Sequence, residues 1–132
     1  IWDPHNKCHI NQLESIQNRA ARFILNDYRR FSSVTQMKST IGLESLESRR
    51  KLNKAILFYK MQNNIVDLKL DLRPSFHFPG RFMQIQCRTT AYQRSCIPDA
   101  IVVWNSLAQP TTTAASLEAF KTAASSELIK TF

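Results

Sequence analysis

Apolar side chains recur at three- and four-residue steps over two long stretches of this chain, and that period commits it to a fold built on helices. In the first stretch, from about Asn6 to Leu25, Ile10, Leu13, Ile16, Ala20 and Phe23 define one apolar face, and Asp3 and Pro4 suit the entrance. In the second, from Leu46 to about Asn63, Leu52, Ala55, Ile56 and Tyr59 form a stripe that Leu57, Phe58 and Met61 widen, so this helix is expected to be well buried. Between the two, Ser33-Val34-Thr35-Gln36 has capping-box spacing ahead of Met37 and Ile41, and Gly42 is placed to stop a short helix. Ser45 reads as the cap of the helix that follows.

The helical period breaks after Asn63. Pro74 and Pro79 sit among Phe76, His77 and Phe78, with few Gly or Ser, which predicts a loop that packs its aromatics rather than a flexible tether. Arg81 to Arg88 alternates, Met83, Ile85 and Cys87 against Gln84, Gln86 and Arg88, the period of a half-buried strand. A turn at Thr89-Thr90 and a partner strand from about Ala91 to Cys96 would complete a hairpin. Pro98 then opens a short helix through Ile101, Val102, Trp104 and Leu107. A polar connection runs from Ala108 to Ala115, and a last helix follows the cap Ser116 through Leu117, Phe120, Ala124 and Leu128. The expected fold class is mainly α, a small helical domain with one β-hairpin inserted before a short helix and a C-terminal helix. A length of 132 residues with 43% hydrophobic content suffices for one ordinary core, so a single domain over 1–132 is expected. Its basic helical half covers about 1–63, and the loop, hairpin and remaining helices cover about 64–132.

Most catalytic chemistries find no foothold in these residues. The ten acidic residues are spread singly, and Glu44 and Glu47, the closest approach, flank the cap Ser45, with Lys51 one turn beyond Glu47; an ordinary ion pair explains them better than a two-metal centre. His5, Cys8 and His9 have helical ligand spacing, but Cys87 and Cys96 are nine apart and no second short ligand pair accompanies them, so surface His and buried Cys are expected rather than zinc. No Ser sits in a Gly-flanked elbow, and two Gly in the whole chain leave no phosphate-cradling loop. No catalytic residue, metal, cofactor or small-molecule substrate is therefore expected. Three cysteines with no export signal read as reduced thiols, and no apolar run is long enough to span a membrane, so an intracellular location, cytoplasmic and nuclear, is expected.

A net charge of +8 directs attention to a polyanionic partner, nucleic acid first and an anionic membrane surface second. The excess gathers in the first half. Arg19 and Arg22 lie one turn apart on the first helix and continue into Arg29 and Arg30, while Arg49, Arg50, Lys51 and Lys54 cluster on the third, where Arg50, Lys51 and Lys54 are read as sharing its exposed side. These eight are the candidate phosphate contacts to RNA or DNA. Solvated helix faces, or arginines bridging helices within the fold, are the plainer explanations. Trp2, Tyr28, Phe31, Tyr92 and Trp104 are candidates for base stacking. Trp104, beside Ile101 and Leu107, reads instead as a core anchor.

Several blocks occur in a fixed order: WDPH at Trp2 to His5, LESIQNRAARFI at Leu13 to Ile24, SVTQM at Ser33 to Met37, and IGLESLESRRK at Ile41 to Lys51. RTTAYQRSCIPDAIVVWNSL at Arg88 to Leu107 and SLEAFK at Ser116 to Lys121 complete the series. Together they span nearly the whole chain and resemble the C-terminal region of non-LTR (LINE-type) retrotransposon reverse transcriptases. Two positions depart from the family pattern: Ala108 follows Leu107 where Pro is usual, and Cys96 stands where Phe is frequent, as in a drifted genomic copy. The resemblance implies that the endonuclease and the RNA-directed DNA polymerase palm lie upstream in the intact element. The opening at Ile1 inside a family block is then expected to be a truncation that orphans some apolar surface. It implies a non-catalytic accessory fragment that contacts template RNA or target DNA and adjoins the upstream reverse transcriptase portion. The alternative is a purely structural module packed on the polymerase thumb, with Trp2 and Phe31 marking the docking face.

Overall fold

A computed structural model describes residues 3–129 and contains seven helices among them. They are α1 (Lys7–Leu25), α2 (Val34–Ile41), α3 (Leu46–Gln62), α4 (Thr90–Gln93), α5 (Cys96–Ser106), α6 (Gln109–Thr112) and α7 (Leu117–Leu128). The chain is mainly helical, and its contacts divide it into two compact units, one reaching to Arg50 and joined by Ile129, the other running from Lys51 to Leu128. The division falls within α3.

The helix ends of the first unit follow from local chemistry. Asn6 precedes α1 in extended conformation. At the other end Asn26 takes the left-handed conformation (φ 49°), and the Asp27 N–H returns to the Arg22 carbonyl at 3.1 Å, closing the last turn. The Ser33 hydroxyl accepts the Gln36 N–H at the start of α2. Gly42 stops that helix at φ 74°, where any Cβ is disfavoured, and the Leu43 N–H reaches the Lys38 carbonyl at 2.8 Å. Ser45 caps α3 by accepting the Ser48 N–H at 3.1 Å.

α1 turns inward only the first part of the apolar stripe that its period suggests, Ile10 and Leu13, both half-buried. Gln17 and Ala21 are buried, whereas Ile16, Ala20 and Phe23 face solvent, Ile16 at 63% and Phe23 at 76% exposure. The reason is directed bonding. Glu14 Oε1 accepts the Leu46 N–H at 2.7 Å, placing a carboxylate on the positive end of α3, and Glu14 Oε2 lies 3.4 Å from Lys38 Nζ on α2. Gln17 Nε2 donates to the Glu44 carbonyl at 2.8 Å. Ala21, with no side chain to separate backbones, completes the inner face against which α2 packs. Since each residue turns the helix by about 100°, fixing Glu14, Gln17 and Ala21 inward carries Ile16, Ala20 and Phe23 outward.

The second unit holds the core. Phe58, Ile101 and Phe120 are its largest fully buried side chains, from α3, α5 and α7 respectively. Trp104 links them, its ring centroid 4.9 Å from Phe58 and 5.7 Å from Phe120, and Tyr59 stacks on Phe120 at 4.4 Å while its hydroxyl donates to the Ala114 carbonyl. Burying each of these rings contributes about 1.5–3 kcal/mol of apolar stabilisation to the unit. Glu127 on α7 accepts the Ala108 N–H at 2.9 Å and the Thr111 hydroxyl, tying α6 to the last helix.

The expected hairpin is absent among the described residues. Only an isolated antiparallel bridge, Pro74 with Phe82, forms. Ile85 and Cys87 are half-buried as the alternation suggests, but Met83 is exposed, and the supposed partner strand is helical instead. Thr89 caps α4, its hydroxyl accepting the Tyr92 N–H, and α5 begins at Cys96 rather than at Pro98. Two further departures concern loops. Residues 109–112 of the expected polar connection form α6, and the aromatics after Asn63 are not packed away, Phe76 being 97% exposed and Phe78 56%.

Candidate nucleic-acid interface

The eight basic candidates separate by what their side chains do. Arg19 on α1, Arg30 after it, and Arg49 in the first turn of α3 are exposed and make no ion pair among the described residues. Arg29 is also exposed, its side chain at 84%, though its guanidinium pairs with Asp27 (Nε to Oδ1 3.1 Å). Arg22 turns back on the chain, donating to the carbonyls of Asp27 (3.4 Å) and Arg29 (3.1 Å), so it shapes the loop after α1.

On α3 the expected exposed stripe dissolves. Arg50 has only 16% of its side chain accessible, with Nε 3.3 Å from Asp3 Oδ1, an ion pair lacking the alignment of a hydrogen bond. Lys54, with 11% accessible, is bonded to Asp99 of α5. Lys51 stays exposed. The i to i+4 spacing that puts Arg50 and Lys54 on one side of the helix is real, but that side carries structural ion pairs. Sequence alone does not reveal this, because Asp3 and Asp99 are distant in the chain.

The loop carrying Arg29 and Arg30 is organised by Asp27. Its Oδ1 accepts the Arg29 N–H at 3.0 Å as well as the guanidinium, and the Ser32 hydroxyl bonds the same carboxylate. The Ser32 hydrogen bond first, and the Arg29 bonds after it, lower the Asp27 pKa from 3.8 to about 2.

Of the stacking candidates, Trp104 is a core residue at 4% exposure, as its apolar neighbours suggest. Tyr28 (64%), Phe31 (98%) and Tyr92 (50%) are exposed, and Trp2 lies outside the described residues. Sequence reasoning passed over the exposed pair Phe76 and Phe78. A signal was available: no carboxylate occurs between Asp71 and Asp99, whereas Arg73, Arg81, Arg88 and Arg94 all fall within that interval.

Among the described residues no group of three His, Cys, Asp or Glu side chains is arranged to hold a metal ion, and no helix is long and apolar enough to cross a membrane. Cys8 and Cys96 are exposed, Cys87 is half-buried, and none of the three is in a disulfide. The expectation of buried cysteines fails for the first two. No family model, curated protein or solved structure matches this chain.

Proposed function

We propose that this chain is a non-catalytic accessory piece of a non-LTR retrotransposon reverse transcriptase, contacting template RNA or target DNA through arginines of its first half. The role places it inside the cell, in cytoplasm and nucleus. The observation that carries the reading is the division of labour among charges. Asp3, Glu14, Asp27 and Asp99 each meet a cation or a backbone N–H, while Arg19, Arg30 and Arg49 remain in solvent. Exposed guanidinium groups without carboxylate partners suit phosphate oxygens, which they engage in bidentate fashion.

Binding of the full chain to short RNA and DNA duplexes and single strands, titrated over a range of salt, tests this. Affinity should fall steeply with salt, and Arg19→Ala, Arg30→Ala and Arg49→Ala together should flatten the dependence by about two to three phosphate contacts. Absence of salt-sensitive binding sinks the proposal. The informative positions differ from those the sequence favours, because Arg50 and Lys54 hold ion pairs whose loss perturbs folding as well as charge.

A second reading, a structural module that packs on the polymerase portion, has its own support. Ile16, Ala20 and Phe23 present an apolar stripe on α1, and Phe31 is almost wholly exposed. Stripes of this kind mark surfaces that another chain covers.

A further inference from the structure

The loop between Arg73 and Met83 displays aromatic rings in an unusually deliberate way. Its base is closed by the bridge of Pro74 with Phe82, where the Ser75 N–H donates to the Arg81 carbonyl and the Met83 N–H to the Arg73 carbonyl, both at 2.8 Å. Two side chains of α5 hold the returning strand. Asn105 brackets Phe82, its Oδ1 accepting the Phe82 N–H at 3.0 Å and its Nδ2 donating to the Phe82 carbonyl at 2.8 Å. Trp104 Nε1 donates to the Gly80 carbonyl at 3.0 Å, and the Phe82 ring packs edge-on against buried Phe58 at 5.3 Å. Gly80 takes φ 77°, the left-handed turn that lets the chain double back.

A loop anchored this thoroughly would be expected to fold its apolar side chains down. Instead the tip raises Phe76, 97% exposed, with exposed His77 beside it at a ring-centroid distance of 6.1 Å, edge to face. Phe78 is half in solvent beneath the Arg81 guanidinium, 5.1 Å from its centroid. Arg73 and Arg81 flank the tip, and no carboxylate lies within the surrounding acid-free interval.

We infer that this loop is a stacking site for single-stranded nucleic acid, with Phe76 and His77 receiving unpaired bases and Arg73 and Arg81 meeting the adjoining phosphates. The inference deepens the nucleic-acid reading above and rests on it, but locates a contact in the second unit and specifies unpaired strands. Flat rings flanked by guanidinium groups match the alternation of π-face and phosphate along a single strand, whereas bases in a duplex offer no free face. An anionic membrane fits less well, because the polar imidazole sits at the tip where a membrane wedge would need hydrocarbon. Pinning by Asn105 and Trp104 fixes the backbone at Gly80 and Phe82 before binding, which lowers the ordering entropy that opposes it.

The test uses the full chain with labelled oligouridylate, oligothymidylate, an RNA duplex and phosphatidylserine vesicles. Phe76→Ala should weaken single-strand binding about tenfold while leaving duplex binding and the salt dependence unchanged. Because Phe76 touches no core residue, the variant keeps the parent's circular dichroism and melting. Phe76→Trp should retain affinity, and oligonucleotide should quench its emission beyond the quenching seen in the parent chain. Preference for oligouridylate or for oligothymidylate would assign the strand as RNA or DNA, and either supports the site. If Phe76→Ala binds single strands as the parent does, with salt-sensitive binding intact, the loop inference falls and the basic-face reading stands. No binding to any nucleic acid overturns both. Vesicle binding that depends on Phe76, without single-strand binding that does, reassigns the loop to a membrane surface.

Discussion

At the scale of the residue, carboxylates carry more structural work than their number suggests. Glu14 alone joins three helices, meeting Lys38 of α2 and the first N–H of α3 from its place on α1. Asp27 orders the turn after α1, and its lowered pKa gives a prediction with a definite sign. A carboxyl whose folded pKa is depressed stabilises its structure above the unfolded value near 3.8, and that contribution is lost as pH falls through about 2. The Arg29 amide, followed by NMR, should therefore shift between about pH 4 and pH 2, and Asp27→Asn should abolish the shift. A shift centred above pH 4 would contradict the bonding at this turn. Of the candidate site, the residue identities were legible in the sequence and their partners were not. Arg30 and Arg50 look equivalent in one dimension, but Asp3 pairs with Arg50.

At the scale of the element, helix ends were readable because capping is local. Ser33, Gly42, Ser45 and Ser116 all stand where their chemistry places them, and the boundaries of α2 and the starts of α3 and α7 follow. The hairpin misled because alternation reports burial of one face and not the presence of a neighbouring strand. Ile85 and Cys87 find their half-buried face, and the backbone on either side is satisfied by α4 and by Asn105 instead. The bracket that Asn105 places on Phe82 has its own consequence. Asn105→Ala removes two hydrogen bonds at a part-buried site and should cost about 1–3 kcal/mol, read from chemical denaturation. Amide exchange of Ser75 and Met83 should quicken more than that of α5. Equal acceleration in both would mean that the loop is not held as a separate element.

At the scale of the whole molecule, two compact units share one continuous helix, and their surfaces differ in kind. The first presents an apolar stripe on α1, while the second keeps Phe58, Tyr59, Trp104 and Phe120 inside and exposes Tyr92 and the rings of its loop. Replacing Ile16 and Phe23 by Ser should leave the denaturation midpoint nearly unchanged, since neither is buried, and, on the proposal of a structural module, should abolish any association with a separately expressed reverse transcriptase polymerase. A large loss of stability would show that the stripe is covered within the chain. What the sequence determined by itself is the local part: helical class, caps, the core role of Trp104 and Phe58, and the cationic excess. Each depends on neighbours a few residues away or on composition. Tertiary structure alone decided which face of α1 turns inward, which arginines stay in solvent, and that Phe76 is raised and not packed. Those outcomes turn on partners far along the chain, Glu14 with Leu46, Arg50 with Asp3, Lys54 with Asp99 and Asn105 with Phe82, whose pairing no local period encodes.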